Sequence, residues 1–341
     1  ATTTADIAQA ALSVSGITAA DKVYDATATA TVDESGAVFT GLFAGDSVVV
    51  DATGAFADKN VGLGKTVNLS SSYSGADAGN YSITDQATAT ADISQAALVV
   101  SGITANNKVY DTTAAATIDV AGANLGGLFG GDDVNLSATG VFTDKNAGLG
   151  KTVNLSSSFS GADVANYNIT NQTTTTADIA QATLSVSGIT AANKVYDATA
   201  AATVNDSGAT FTGLLGSDVV MVDATGAFAN KNAGLARTVN LNSSYSGADV
   251  ANYSITDQTT TTADIAQAAL SVSGITAADK VYDATATATV DESGAVFTGL
   301  FAGDSVVVDA TGAFADKNVG LGKTVNLSSS YSGADAGNYS I

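Results

Sequence analysis

The tripeptide Ala-Asp-Ile begins at Ala5, Ala91, Ala177 and Ala263, and the tetrapeptide Lys-Val-Tyr-Asp begins at Lys22, Lys108, Lys194 and Lys280. Both recur every 86 residues, and the copies align without a gap. Residues 5–83 are identical to residues 263–341, and the two middle copies differ from them at many positions. This period narrows what the chain can fold into. It is longer than the 20–50 residues of a solenoid unit and suits a small autonomous domain, so the sequence predicts beads on a string. The expected division is a terminal strand of a preceding module at 1–7, then repeats at 8–93, 94–179, 180–265 and 266–341, the fourth lacking its last strand. The opening residues match Thr174–Ile179, the tail of a repeat. Two readings follow: a window on a longer array, or a filament subunit whose first strand completes its neighbour's last module.

Within one repeat, strand signals alternate with turn signals every 8–12 residues, the pattern of a β-sandwich or barrel. Leu12–Ile17, Thr27–Val32, Phe39–Phe43, Val48–Phe56, Lys65–Tyr73, Tyr81–Ile83 and Thr88–Ile93 read as strands. Lys65–Tyr73 alternates cleanly, with Val67, Leu69, Ser71 and Tyr73 on one face. Gly54 reads as a bulge, Gly62-Leu63-Gly64 as an irregular crossing, and Gly75–Asn80 as a loop with one helical turn. No window gives an amphipathic helix of ten residues. The prediction is all-β: four immunoglobulin-like β-sandwich modules in an extended rod, with β-grasp-like modules as the alternative. Only Ser94-Gln95-Ala96 separates the last strand of one repeat from the first of the next, without Gly or Pro. So short a link favours modules held in line. At about 35–40 Å per compact module, four repeats would span roughly 140–160 Å.

Composition removes several chemistries. The chain has no His and no Cys, which excludes Ser-His-Asp and Cys-His catalysis, ordinary zinc and haem sites, and disulfides. Paired carboxylates remain, but small modules without Trp offer no sugar cleft, so no enzyme activity is expected. A net charge of −21 argues against nucleic acid and anionic membranes as partners. No run approaches the roughly 20 apolar residues of a membrane span. The expected partners are neighbouring modules, other copies in a filament, or an unidentified host or cell-surface ligand.

No cofactor is expected, and calcium is the one metal to weigh. Asp25, Asp46 and Asp77 supply oxygens, but neither the EF-hand nor the nonapeptide pattern is present. Asp58 is replaced by Asn230 in the third repeat, so turn formation is the stronger reading for these carboxylates. Lys22, Lys59 and Asn60 recur in all four copies and invite a Lys–Asn amide crosslink, against the plainer reading of exposed lysines with buried stems. Lys65 becomes Arg237 and cannot serve everywhere. Tyr24 and Tyr81, also in every copy, read as core-filling rings whose hydroxyls bond backbone.

The motif residues are Lys22, Tyr24, Asp25, Asp46, Lys59, Asn60, Gly62, Asp77, Asn80 and Tyr81. In their setting of Lys-Val-Tyr-Asp-Ala-Thr, Asp-Lys-Asn-Val-Gly, Gly-Ala-Asp-Ala-Gly-Asn-Tyr and a closing Ala-Asp-Ile, they resemble the YDG-type repeat of large bacterial haemagglutinin-like adhesins. One departure is Ala26 (Thr112 in the second copy) where that motif usually has Gly. The resemblance implies secretion, display at the bacterial cell surface and a stalk or spacer role, with no catalytic residues to carry over.

Overall fold

The computed structural model describes residues 1–341, which divide into two compact units. One comprises Ala1–Lys108 with Thr113–Ala180, the other Val109–Thr112 with Gln181–Ile341. The first repeat shows how such a unit is built. Its strands are β1 (Ala10–Ser15), β2 (Thr18–Ala19), β3 (Lys22–Val23), β4 (Thr29–Ala30), β5 (Val32–Asp33), β6 (Val38–Thr40), β7 (Val49–Phe56), β8 (Gly62–Ser74), β9 (Tyr81–Thr84) and β10 (Thr88–Ser94). The only helical element of the repeat is a single 3₁₀ turn at Ala78–Asn80. No helix of the protein is long and apolar enough to cross a membrane.

Period-two alternation gives each strand one buried face. In β1, Leu12 and Val14 are buried between exposed neighbours; in β8, Val67, Leu69, Ser71 and Tyr73 point inward as the alternation predicts. The strands form two main sheets, ordered β6-β1-β9 and β3-β10-β8-β7-β4. A core joins their inner faces: Val14 and Ile17 with Ala52, Val50 and Leu69, and Leu12 with Val48 and Tyr81. The longest pairing is the β7–β8 hairpin, from Val49 opposite Ser74 to Phe56 opposite Val67. Its tip carries Asp58, Lys59 and Asn60.

Several expectations need correcting. Thr27–Val32 is not one strand; Thr29–Ala30 pairs with β7 whereas Val32–Asp33 pairs with β2. Gly54 sits in regular register opposite Leu69, without a bulge. It is glycine because a Cβ there would stand 2.7 Å from the Val32 side chain and 2.9 Å from Val67. The bulge lies instead between Ala91 and Ile93, opposite Gly62–Lys65, so Gly62-Leu63-Gly64 opens β8 rather than crossing irregularly. Two pairings are parallel, β1 with β9 and β3 with β10. The link between repeats is also shorter than read. β10 ends at Ser94 and the next repeat starts its first strand at Ala96, leaving Gln95 alone between them.

In the first unit one buried cluster runs through this link: Tyr24, Phe56, Val67 and Ile93 of repeat 1 with Ala96, Leu98, Val134 and Tyr167 of repeat 2. The second unit has the same arrangement, with Tyr196, Phe228, Val239 and Ile265 against Ala268, Leu270, Val306 and Tyr339. Stability is therefore not wholly internal to each bead. In repeat 4 the larger sheet is reduced to three strands, Thr287–Ala288, Val307–Phe314 and Val325–Ser332.

Candidate functional site

The recurrent polar residues of repeat 1 and repeat 2 meet at the joint between them. β3 and the β7–β8 tip present Tyr24, Lys59 and Asn60 forward. The loop after β6 and the 3₁₀ turn of repeat 2 present Phe129, Asp132, Asp163, Asn166 and Tyr167 backward. Asp132 is the hub, with a side chain only 1% exposed. Its Oδ2 accepts hydrogen bonds from Tyr24 Oη at 2.8 Å and Tyr167 Oη at 2.6 Å. Its Oδ1 accepts from Lys59 Nζ at 2.5 Å, and the same ammonium lies 3.0 Å from Asp163 Oδ1. Val61 N–H donates to Asn166 Oδ1 at 3.0 Å, and Asn166 Nδ2 donates to Asn60 Oδ1 at 3.2 Å. The Tyr24 ring meets Phe129 and Tyr167 edge-on at 5.8 and 5.5 Å, and Lys59 Nζ lies 5.8 Å from the Tyr24 ring centroid. Gln95, the linking residue, donates to Ala165 O at 3.0 Å.

Burial of a carboxylate must be compensated by partners. Burial of Asp132 favours its neutral form, but Lys59, Tyr167 and Tyr24 outweigh it and hold its carboxyl below the usual range. Asp163 is held low by the Asp133 N–H and then by Lys59. The two carboxylates and the Tyr24 hydroxyl keep Lys59 well above its ordinary value. Burial, reinforced by Asp132, pushes the Tyr167 hydroxyl up to about 12 and raises Tyr24 as well.

The second unit repeats the constellation. Tyr196 and Tyr339 donate to Asp304 Oδ2 at 2.7 and 2.6 Å. Lys231 bridges Asp304 at 2.6 Å and Asp335 at 3.2 Å, and Ala233 N–H donates to Asn338 Oδ1 at 2.9 Å.

The motif thus divides into two halves. Tyr24, Lys59 and Asn60 face the following repeat. Asp46, Asp77, Asn80 and Tyr81 are the equivalents of Asp132, Asp163, Asn166 and Tyr167, which receive it. Tyr81 Oη donates to Asp46 at 2.6 Å and accepts from Phe43 N–H at 3.0 Å. Asp77 accepts from Ser47 N–H at 2.9 Å. Lys22 and Asp25 have a local task. Lys22 Nζ pairs with Asp25 at 2.6 Å, donates to Thr27 O and Thr29 O at 3.0 Å each, and lies 5.7 Å from the Phe56 ring centroid. Asp25 in turn accepts from Thr27 N–H at 2.9 Å. This brace holds a turn whose Ala26 lies at φ 63°, in the left-handed region, with Thr112, Ala198 and Ala284 at 69°, 61° and 63°. Gly62, at the foot of β8, pairs with Ile93.

Three readings change. Asp25 is tied to Lys22, and Asp25, Asp46 and Asp77 are not gathered into one group of three carboxylates. At the joint, the cation between the equivalents of Asp46 and Asp77 is the preceding repeat's lysine. Lys59 faces carboxylates and Asn60 faces Asn166, so the pair is not arranged as a Lys–Asn crosslink, and the carboxylates keep the amine protonated and non-nucleophilic. Tyr24 bonds a carboxylate of the next repeat, not backbone. Gln95 reads in the sequence only as part of a short link and Phe43 only as the end of a strand; the contacts of Gln95 and of Phe129, the equivalent of Phe43, show only when two copies are placed end to end.

Among curated proteins none matches this chain. The YDG domain family, by contrast, matches residues 8–91, 94–176, 180–262 and 266–341. The chain therefore belongs to the YDG domain family, in four tandem copies, and recurrent tyrosine, lysine and aspartate residues build the contacts between repeats 1 and 2 and between repeats 3 and 4.

Proposed function

We propose that this protein is a mechanical spacer: a run of immunoglobulin-like β-sandwich repeats that forms the stalk of a secreted bacterial surface adhesin and projects a binding domain away from the cell. The observation that carries this reading is the joint. A single residue, Gln95, connects two strands, and around it the clasp on Asp132 and a shared apolar cluster fix one repeat on the next. A flexible linker would need unpaired, solvated backbone. Here the backbone on both sides of the link is in strands and the linking side chain is itself bonded. Two facing sheets support the sandwich assignment, and no α-helix covers a sheet as a β-grasp module requires. A structural role is supported by how the charged groups at the joint are used, Lys59 being held between Asp132 and Asp163 across the two repeats. Small-angle scattering on the chain tests the reading. A rod of about 140–160 Å is expected from compact-domain scaling; a compact or freely hinged particle overturns it.

A further inference from the structure

Cysteine and methionine are the usual targets of oxidation. This chain has no Cys, no Trp and one Met but 11 Tyr, so tyrosine carries most of its oxidisable chemistry. At the joint between repeats 1 and 2, two tyrosines from different repeats face each other. The Tyr24 and Tyr167 ring centroids are 5.5 Å apart, with the planes at 77°. Both hydroxyls donate to the same atom, Asp132 Oδ2, so the rings converge at their phenol ends. That convergence turns the carbons beside the two hydroxyls, where phenoxyl radicals couple, toward one another. The second unit holds the same pair. Tyr196 and Tyr339 lie 5.4 Å apart at 76°, with both hydroxyls on Asp304 Oδ2.

We propose that Tyr24 and Tyr167 form an oxidative crosslinking site, at which a diffusible one-electron oxidant joins the two rings by a carbon–carbon bond and staples repeat 1 to repeat 2. Each phenol gives one electron to the oxidant, so two equivalents are consumed per bond. Each proton leaves along the existing hydrogen bond to Asp132 Oδ2 and passes to solvent beside Lys59, which is a third exposed. An oxidised phenol is a very strong acid, so a carboxylate held below its usual range still accepts that proton. The two radicals pair between the ring carbons next to the hydroxyls. The hydrogens on those carbons then move to the oxygens, which restores both aromatic rings. The net change is the loss of two electrons and two protons, with every heavy atom kept. Burial suits this step. The rings are 1% and 3% exposed, so the oxidant draws electrons across the wall of the joint, and the radicals meet each other before they meet solvent. Phe129, 5.8 Å from the Tyr24 ring, offers no phenol, which leaves Tyr167 as the partner. Tyr196 and Tyr339 are the equivalent site in the second unit. This inference concerns the chemistry of the joint and stands whether or not the protein is an adhesin stalk.

The test is light-activated persulfate on the dilute full chain, followed by isolation of single chains and mass spectrometry of their tryptic peptides. Cleavage after Lys and Arg places Tyr24 in 23–59, Tyr167 in 152–194, Tyr196 in 195–231 and Tyr339 in 324–341. The expected products are 23–59 joined to 152–194 and 195–231 joined to 324–341, each two hydrogens lighter than its parts and fluorescent as dityrosine. Tyr24→Phe should abolish the first product and leave the second, which reports in the same chain that folding and oxidation are intact. Asp132→Asn keeps both phenols and should lower the first product at least about tenfold relative to the second, because an amide oxygen takes a proton far less readily than a carboxylate. The parent reaction should slow in D2O, which a merely structural role for Asp132 would not produce. Absence of both linked peptides from a chain whose other tyrosines are oxidised overturns the proposal. So does an undiminished first product in Asp132→Asn, or a parent rate unchanged in D2O.

Discussion

Asp132→Asn isolates what the joint contributes. The substitution keeps shape and removes charge. Asp132 Oδ2 accepts two tyrosine hydroxyls, at 2.8 and 2.6 Å, one from each repeat. A hydrogen bond to a charged group is worth about 1 kcal/mol more than one to a neutral group, so two of them lose about 2 kcal/mol. Lys59 keeps Asp163, but with the amide oxygen on the tyrosines the new Nδ2 faces the ammonium, donor against donor, so about 2 kcal/mol is a lower bound. In a unit of this size, 2 kcal/mol lowers the melting temperature by about 4–8 °C. The protein supplies its own control. Asp46 is the same residue in repeat 1, bonded by Tyr81 but with no tyrosine from a preceding repeat. Asp46→Asn, which loses one such bond and faces no lysine, should therefore cost at most about half as much. Calorimetry on the two variants gives the difference, and hydrogen exchange at the Val61 amide, which donates across the joint to Asn166, locates it. Equal melting shifts, or an unchanged Val61 protection factor in Asp132→Asn, would refute the claim that this carboxylate couples the two repeats.

Two further outcomes are expected. Ala26→Gly should stabilise repeat 1 by about 0.5 kcal/mol, since left-handed backbone costs an alanine about 1–2 kcal/mol and glycine's extra unfolded entropy offsets about 0.5–1; Thr112→Gly, replacing a β-branched residue at φ 69°, should gain more, and thermal melts of the two variants check both. The joints should weaken at both extremes of pH. Asp132 and Asp163 titrate below their usual 3.8 when folded, so their contribution is full above that value and is lost as pH falls through the lowered one. Tyr167 and Tyr339 titrate near 12 when folded against 10.0 in the open chain, so theirs is full below pH 10 and is lost as pH rises from 10 to 12. Melting temperature against pH should show a plateau between these limits, and a curve flat through both would contradict the assignment.

What the sequence reveals here is local. The period-two pattern of Val67, Leu69, Ser71 and Tyr73 places a strand and its inner face, because burial alternates with the pleat. The turn at Asp25 follows from a carboxylate two residues before a free N–H. Paired replacements are also readable once contacts are known. Asp58 with Lys65 becomes Asn230 with Arg237, and the arginine still reaches the amide oxygen, at 3.1 Å. Tyr73, pushed up to about 12 by burial and then Asp85, becomes Phe159 where Asp85 becomes Asn171. Sheet partners are less legible. Parallel pairing of β1 with β9 joins residues about 70 apart, and nothing in either segment names the other. The joint is hidden for a further reason. Tyr24 and Asp46 belong to one repeat, yet each bonds a residue of a different neighbour or waits for one. A motif read within a single period merges two half-sites that never touch each other.

The split between donor and acceptor ends has a consequence for how such arrays can change over generations. Gain or loss of whole units leaves every seam chemically unaltered, because each new end meets its proper counterpart. An unrelated domain spliced between two units has no such neutrality: it uncovers a tyrosine and a lysine on one side and a pair of carboxylates on the other. Domains of this design should therefore occur in uninterrupted runs, and one found alone should carry substitutions at its equivalents of Tyr24, Lys59, Asp46 and Asp77.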